Sequence, residues 1–562
     1  MKTQLKFAAA GIAFFLCAGA SAQTLDDAIK LTDNEQYEKA NAMFLQLVAK
    51  EPANGDVYFY FGDLKLKDED PDTAKILFQK GIDINATNPL VHVGMARYYM
   101  YSGKMADGEK EMAYAKSLLS TQAGPKNDKM PVPRQVTIYL EMAETYTWAV
   151  EPNPQMAIDL TNTAEKLDTK NPSAEIFLVR GDALQKQNPV NASPAIENYN
   201  KAAQRDPKSC RAYVRIGQIY AAGKNMPAAI GYFNKAIGLE PNFGPAYRNR
   251  GEAQYMVNKF DSAAMSFKKY LELNNDCHSR YRYCAFLYKS GDYENAIKEG
   301  ETVLACDSSI VVVYRIVGRC YLDQKKPDPA KSVQYFSLFF KKQKVYGKPG
   351  VLPEDYVYVG KAFSKDGNDS LAIVNYKLAL QADTSRKDGY FEIGTAYFKM
   401  RNYDSAAFYY KRKIDLNPAK ASISDWNAYG RSIYLLKDYS GASEAFSHVT
   451  QMDSLNPIGW YWRGRCEAQL DPEIKSDNAR MMYERFYAVA IGDKERNKKD
   501  LIVAAKYLGG YHLVKKNYGC SKAWFQFALD LDPGSADLKK QMEEKEMKTA
   551  TASDLNSCMM TK

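Results

Sequence analysis

Histidine is scarce in this chain, and the scarcity excludes several kinds of chemistry. Only four of the 562 residues are histidine, and they lie far apart, at His92, His278, His448 and His512. The chain also lacks the serine nucleophile elbow, the His-Glu-x-x-His zinc motif, the phosphate-binding loop of nucleoside triphosphatases and the dinucleotide fingerprint. We therefore expect no enzymatic activity, no metal site and no cofactor. His92 stands at an apolar position of a helical pattern and is expected to be a core residue.

Long apolar runs are missing as well, except at the amino terminus. A basic start, an apolar stretch at residues 7–18 and small residues at 20–22 predict that residues 1–22 form a cleavable signal peptide. The mature chain would then begin at Gln23. Lipidation at Cys17 is the alternative, but the bulky residues before Cys17 do not fit the small-residue pattern that lipidation requires.

No later stretch is long and apolar enough to predict a transmembrane helix. The signal is of bacterial style, so we expect a periplasmic location, with secretion as the second choice. The net charge of +9 falls to +7 when Lys2 and Lys6 are removed with the signal. Over so long a chain this excess does not indicate nucleic acid, although it allows acidic partners or an anionic membrane surface.

Cysteine is also sparse, and none of the cysteines shows the C-x-x-C spacing of zinc or redox sites. Cys320 and Cys466 each follow a glycine by two residues within a repeated pattern, which favours small buried core residues. Cys277 and Cys306 lie near the ends of neighbouring repeats. Because an export compartment permits disulfides, they are the first pair to check for one.

One stretch, residues 210–241, carries a pattern that recurs along the chain. Its marked positions are Tyr213, Ile216, Gly217, Tyr220, Ala229, Phe233, Ala236 and Pro241. Tyr247 follows Tyr213 by 34 residues. The pattern and its period resemble the tetratricopeptide repeat. The resemblance implies an all-α fold, a right-handed superhelical solenoid of helix-turn-helix repeats whose first helices line the concave surface.

Within this stretch, helical spacing predicts two helices separated by a break at Gly223. We expect Gly217 and Ala229 to mark the close approach of the two helices, with Tyr213 and Phe233 filling the wider space. Gly223 is expected to end the first helix in a left-handed conformation, which glycine adopts without a steric penalty. A single hairpin cannot bury its apolar face, so neighbouring repeats must stack on it.

About fourteen such repeats can be placed, and loop-like or charged stretches divide them into blocks. The predicted blocks are a signal peptide at 1–22, an N-terminal block at 23–122, a central block at 134–345, a third block at 353–492, a last repeat with a polar capping helix at 501–548, and a disordered tail at 549–562. The joints fall in a proline-rich stretch before residue 134, a basic loop at 341–350 and a charged run at 493–500.

The resemblance also suggests which residues face a binding groove, namely those one and five positions after the start of each first-helix motif. Many of them are basic, and the candidate peptide-binding residues are Arg248, Arg282, Arg315, Arg319, Lys361, Arg431 and Arg465. Because guanidinium groups bind carboxylates through paired hydrogen bonds, we expect an acidic extended peptide or a chain terminus as ligand. The alternative is a solvated face in which Arg248 and Glu252 form an i,i+4 pair. The carboxylate-clamp subtype of the family uses Lys and Asn, and this chain does not match it.

An Asp-Ser/Thr-apolar triplet also recurs, and two interpretations remain open. The triplets begin at Asp72, Asp261, Asp369, Asp404 and Asp453. In the first interpretation most of these aspartates are N-caps of second helices. In the second, the triplets resemble the O-glycosylation acceptor of some Gram-negative envelope proteins.

The function that these features favour is a periplasmic protein–protein interaction scaffold of the cell envelope. Family resemblance adds a role as an accessory of outer-membrane transport, secretion or assembly. Expected partners are envelope proteins with acidic or extended segments. The alternative is a binding protein for a glycan or peptidoglycan fragment held in an aromatic groove.

Overall fold

The computed structural model of the protein describes residues 24–122, 130–170 and 172–559. The predicted signal peptide and most of the proline-rich joint, residues 123–129, lie outside the described residues. Every regular element in the described ranges is a helix. None of these helices has the length and apolarity needed to cross a bilayer.

The described residues form two compact units, the first ending at Ile310 and the second beginning at Val311. In its described residues the first unit contains eight helical hairpins. Their helices are α1 (Leu25–Asp33), α2 (Tyr37–Lys50), α3 (Gly55–Lys67), α4 (Pro71–Ile84), α5 (Pro89–Tyr101), α6 (Met105–Gln122), α7 (Val132–Trp148), α8 (Pro154–Leu167), α9 (Ala174–Gln187), α10 (Ser193–Arg205), α11 (Cys210–Ala222), α12 (Met226–Leu239), α13 (Gly244–Met256), α14 (Phe260–Leu273), α15 (Cys277–Ser290) and α16 (Tyr293–Cys306).

The second unit contains six hairpins and a carboxy-terminal segment. Its helices are α17 (Val312–Asp323), α18 (Pro329–Tyr346), α19 (Pro353–Lys365), α20 (Asp369–Ala382), α21 (Gly389–Lys399), α22 (Tyr403–Leu416), α23 (Ile423–Leu435), α24 (Tyr439–Met452), α25 (Pro457–Leu470), α26 (Asn478–Ala490), α27 (Lys494–Val514), α28 (Tyr518–Leu531), α29 (Ala536–Met542) and α30 (Lys545–Thr549). Single 3-10 turns lie at Pro418–Lys420, Ile491–Asp493 and Leu555–Cys558. The fold is therefore an all-α superhelical repeat fold.

The division into units differs from the predicted blocks. The central block predicted at 134–345 spans both units, because composition marks loops but does not report how densely helices pack on either side of them. Two predicted joints are largely helical. Residues 341–346 form the last turns of α18, and residues 494–500 form the first turns of α27.

In ten of the fourteen described hairpins an aromatic ring of the second helix lies against a glycine of the first helix. A Cβ atom added at Gly217 would lie 2.5 Å from Cε1 of Phe233, and one at Gly251 would lie 2.5 Å from Cδ2 of Phe267. This confirms the close approach predicted at Gly217, and it identifies the ring of Phe233 as the group that needs the space. Glycine is required here because any side chain would overlap the ring.

We therefore expect Gly217→Leu to lower the free energy of unfolding by about 1–3 kcal/mol through overpacking. Gly231 offers a matched control, because it lies in the same hairpin and a Cβ there would meet no atom within 4 Å. Gly231→Leu should be neutral or slightly stabilising, since leucine favours helix over glycine. Chemical denaturation of both variants measures the difference, and an unchanged midpoint in Gly217→Leu would contradict this packing.

The turn inside the hairpin is built differently from the prediction. Gly223 has a φ of −74°, and the left-handed residue is Lys224, with a φ of +59°. Asn225 then caps α12 by accepting a hydrogen bond from the Ala228 amide. Gly223 is the C-cap of α11, as predicted, but the left-handed conformation occurs one residue later, at Lys224. The same order, a left-handed residue followed by an Asn or Asp cap, recurs at 401–402, 437–438 and 516–517.

The triplet aspartates are not N-caps. The cap of α4 is Asp70, whereas Asp72 lies two residues further on, and the cap of α20 is Asn368, whereas Asp369 is the first helical residue. Asp404 likewise lies inside α22. These side chains stand in the first turn, where a negative charge interacts favourably with the helix dipole. The O-glycosylation interpretation stays a prediction.

The predicted buried residues and the predicted disulfide pair can be compared directly with the structure. Cys320 and Cys466 are fully buried, as predicted. His92 is buried as well, with Nδ1 2.7 Å from Oε2 of Glu111. Cys277 and Cys306 form a disulfide that joins the start of α15 to the end of α16.

The carboxy-terminal prediction was wrong for the described residues 549–559. The expected polar helix is two short helices, α29 and α30, and the segment after them packs against α28. Cys558 forms a disulfide with Cys520, and Lys522 Nζ donates a hydrogen bond to the carbonyl oxygen of Ala550 at 2.8 Å. Because cysteine pairing cannot be read from sequence, the polar composition of the segment favoured disorder instead.

Candidate functional site

The site predicted from sequence lies on the odd-numbered helices, which form the first-helix face of each unit. In the first unit this face contains buried ion pairs. Arg97 of α5 pairs with Asp63 of α3, and its Nη2 lies 2.7 Å from Oε2 of Glu141 on α7. Lys67 pairs with Asp63 at 2.9 Å, and Arg97 Nε donates to Thr145 Oγ1 at 3.1 Å. These contacts join three successive hairpins through charges that are withdrawn from water.

Burial and ion pairing act in opposite directions on the two carboxyl groups. Burial tends to raise the pKa of Asp63, but Lys67 and Arg97 overcome this and lower it to about 2. For Glu141 burial dominates and raises the pKa to about 7, although Arg97 opposes the change. Asp63 therefore contributes stability that is lost as the pH falls from 3.8 towards 2. Glu141 contributes stability that is lost as the pH rises from 4.5 through 7.

Arg211 extends this network to the sixth hairpin and brings it back to the first. Its Nη1 lies 2.9 Å from Oε2 of Glu175 and 3.5 Å from Oδ2 of Asp33, and its Nη2 lies 3.6 Å from Oε1 of Glu144. A cavity of about 440 Å³ adjoins these side chains. The first unit thus closes on itself across its first-helix face, and the charges there neutralise one another.

The first two candidate groove residues, Arg248 and Arg282, lie in the first unit and are both paired. Arg248 binds Glu35, the turn residue of the first hairpin, with Nη2 2.6 Å from Oε1. The alternative pairing of Arg248 with Glu252 is not what the structure shows, since Glu252 forms its ion pair with Arg282. Both guanidinium groups therefore already have a carboxylate of the chain as partner, although the pair of Arg282 with Glu252 is partly exposed.

Arg315 and Arg319 bind one carboxylate of the second unit. Asp355, fully buried at the start of α19, lies 2.9 Å from Nη2 of Arg315 and 3.0 Å from Nη2 of Arg319. Arg315 also donates to the carbonyl oxygen of Gly350. Both arginines therefore have a structural role, because these contacts hold the segment before α19 against α17.

Lys361 borders a small cavity of about 250 Å³ between α19 and α21. Two further lysines, Lys365 and Lys399, line the cavity together with the ring of Phe391. The nearest carboxylate of Lys361 belongs to Glu392, at 3.8 Å, which is a long ion pair. This cavity is therefore lined by three ammonium groups, the carboxylate of Glu392 and an aromatic ring, and Lys399 also lies 3.9 Å from Oδ1 of Asp369.

Arg431 and Arg465 lie over aromatic rings. The guanidinium carbon of Arg431 is 5.4 Å from the ring centre of Phe398 and 5.7 Å from that of Trp462. The guanidinium carbon of Arg465 is 4.8 Å from the centre of Trp462 and 5.2 Å from that of Tyr434. Such stacking orients a guanidinium against the face of a ring.

The structure therefore divides the seven predicted residues. Arg248, Arg282, Arg315 and Arg319 are bound by carboxylates of the chain itself, whereas Lys361, Arg431 and Arg465 lie on the more open first-helix face of α19, α23 and α25. The sequence analysis did not identify the carboxylates that pair with the arginines, nor the two further lysines of the cavity, Lys365 and Lys399. For Asp355 a signal existed, since it accepts a hydrogen bond from the Leu352 amide in a helix-start pattern.

Comparisons with known proteins agree with this architecture. Residues 178–245 and 388–420 match models described as tetratricopeptide repeat. Hsp70-Hsp90 organizing protein 2 of Arabidopsis thaliana is 32% identical over 78 residues, which are 14% of this chain and 14% of that protein. DnaJ homolog subfamily C member 3 of Gallus gallus is 21% identical over 406 residues, covering 64% of this chain and 78% of that protein.

One similar solved structure is the C-terminal part of a TPR repeat-containing protein from Cytophaga hutchinsonii. It is 27% identical, covers 47% of this chain and 100% of its own chain, and has a TM-score of 0.44. The chain spans about a seventh of the length of the Arabidopsis relative. One family match lies in each unit. Together with the repeated hairpins and their glycine–aromatic contacts, the two family matches show that the chain contains tetratricopeptide repeats, and such repeats indicate a helical scaffold for protein–protein interaction.

Proposed function

We propose that the protein is an exported scaffold of the cell envelope and that its second unit binds an acidic, extended segment of a partner protein. The observation that carries the proposal is the row of cationic groups on four successive first helices. Lys361 and Lys365 belong to α19, Lys399 to α21, Arg431 to α23 and Arg465 to α25. A peptide lying across these helices would meet a positive charge at each step.

The chemistry of this row suits carboxylates better than neutral ligands. Guanidinium groups bind carboxylates through two parallel hydrogen bonds, and aromatic rings beneath them reduce their contact with water. Arg315 and Arg319 are left out of the binding surface, because Asp355 already takes their donors. The proposal therefore moves the groove towards the carboxy-terminal part of the predicted stripe and assigns no catalysis to the chain.

The envelope location is supported by the disulfides together with the predicted signal peptide. Cys277–Cys306 and Cys520–Cys558 would form and persist in an oxidising compartment such as the periplasm. A role as an accessory of outer-membrane transport, secretion or assembly remains part of the proposal and rests on family resemblance.

Binding of labelled peptides by the full chain tests the proposal. We expect an Asp/Glu-rich peptide to bind and a Lys-rich peptide of equal length not to bind. Arg431→Ala/Arg465→Ala should weaken binding by about tenfold or more, which is about 1.4 kcal/mol. Arg412→Ala/Arg485→Ala is the matched control, because both of these exposed arginines lie on second helices.

Equal affinities of the two double variants would refute the assigned surface. If the same protein retained saccharide and did not bind acidic peptide, the result would favour the alternative of a glycan or peptidoglycan ligand. Increasing salt should weaken peptide binding in the wild-type chain, because the surface is exposed and its charges are screened.

A further inference from the structure

The turn of the first hairpin lies against the seventh hairpin, more than two hundred residues further along the chain. The carboxylate of Glu35 receives three hydrogen bonds there. Arg248 donates through Nη2 at 2.6 Å and through Nε at 3.0 Å, and the hydroxyl of Tyr270 donates at 2.9 Å. Paired donors from one guanidinium, with a third from a hydroxyl, form a complete receptor for one carboxylate.

The third donor is itself held in place. Asn274 donates through Nδ2 to the hydroxyl oxygen of Tyr270 at 2.7 Å, so the hydroxyl proton is directed towards Glu35. Both Tyr270 and Asn274 are buried. Burial also raises the pKa of Tyr270, so the hydroxyl remains a donor over the accessible pH range. The receptor is thus preorganised by two buried residues.

The backbone of the seventh hairpin is shaped to admit a turn. A Cβ atom at Gly244 would lie 2.6 Å from the carbonyl oxygen of Asn34, so only glycine allows this approach. Asn34 Nδ2 donates to Glu240 at 3.2 Å, and Gln36 Nε2 donates to the carbonyl oxygen of Asn242 at 3.3 Å. The residues on either side of Glu35 therefore reach the loop before α13.

The contacts that hold the turn are separate from those that fold the first hairpin. The apolar side of the hairpin packs on α3, where the rings of Phe44 and Phe61 stack with centres 5.3 Å apart. The contacts of Asn34, Glu35 and Gln36 with the seventh hairpin are polar. The turn can consequently leave the receptor without loss of the core that folds the hairpin.

We propose that Arg248, Tyr270 and Asn274 form a binding site for an acidic residue at the tip of a protein turn, and that Glu35 occupies this site from within the chain. An acidic turn of a partner protein competes with Glu35 for the same donors. This site lies in the first unit, and the inference is independent of the peptide surface proposed for the second. Its consequence is that a competing carboxylate releases the turn at residues 34–36 from the seventh hairpin, whereas the ion pair of Asp33 with Arg211 is made without Glu35.

The test uses the full chain and a cyclic peptide with the sequence of residues 32–37. We expect Glu35→Gln to raise hydrogen exchange in residues 34–37, and to bind the peptide at least tenfold more tightly than the wild type does. Adding Arg248→Met to this variant should abolish the binding. Glu38→Gln is the matched control, because Glu38 is exposed one turn further along and should leave both measurements unchanged.

Two outcomes would overturn the inference. The first is unchanged hydrogen exchange in Glu35→Gln, since Glu35 would then not hold the turn. The second is peptide binding that is absent from Glu35→Gln or insensitive to Arg248→Met. A peptide with Gln in place of its Glu should not bind, which separates carboxylate recognition from general adhesion. Arg431→Ala/Arg465→Ala should behave like the wild type in this assay. A failure of the peptide surface proposed for the second unit would therefore not be mistaken for a failure of this inference.

Discussion

Replacing Asp355 with asparagine is expected to lower the free energy of unfolding of the second unit by about 3–5 kcal/mol. The carboxylate is fully buried and is the counter-charge of both Arg315 and Arg319. Asparagine keeps the shape but removes the charge, so two largely buried guanidinium groups would lose their anion. Chemical denaturation monitored by tryptophan fluorescence would report mainly this unit, because four of the five tryptophans of the chain lie in its helices α23, α25 and α28.

Asp366→Asn is the control for this prediction. Asp366 follows the last residue of the same helix and is exposed, so its substitution should change stability by less than about 0.5 kcal/mol. Similar midpoints for Asp355→Asn and the wild type would mean that the two arginines do not depend on this carboxylate. In that case they would return to the list of candidate ligand-binding residues.

The second large effect is expected at Arg97 in the first unit. Arg97→Met should lower the free energy of unfolding by about 3–5 kcal/mol at neutral pH, because Asp63 and Glu141 would lose a buried cation. The loss should be smaller at pH 5 than at pH 8. Glu141 already has a pKa raised to about 7, and protonation removes its uncompensated charge.

Denaturation at both pH values measures this effect. Lys110→Met provides a control within the same unit, since Lys110 and Asp107 form an exposed ion pair that contributes little to stability. A loss for Arg97→Met that is equal at pH 5 and pH 8 would show that Glu141 does not carry the charge that makes the variant unstable.

The hairpins and their internal packing could be predicted from sequence because their determinants are local. Gly217 and Phe233 lie on the two helices of one hairpin, and the pattern that places them there recurs at a fixed period. The contact between them follows from helical geometry alone. Burial of Cys320 and Cys466 follows in the same way from their place in the repeat.

The carboxylates of the candidate site could not be predicted, because their positions depend on how successive hairpins are rotated. Glu35 meets Arg248 only after six further hairpins have been stacked, and small changes at each step would separate them. The basic residues alone therefore indicated a continuous binding stripe. The structure shows instead that much of this positive charge is neutralised within the chain. The ordered carboxy-terminal segment was missed for a related reason, since Cys558 pairs with a residue 38 positions away.

The closure of the first unit has a consequence for how this chain can change in evolution. Repeat arrays commonly gain or lose whole repeats, because each repeat contacts only its neighbours. Here the first and seventh hairpins also contact each other, so duplication or deletion of any hairpin between them would carry Arg248 away from Glu35. The number of hairpins between these two residues is therefore fixed by geometry. Insertions should be tolerated in the loops of this unit but not as whole repeats.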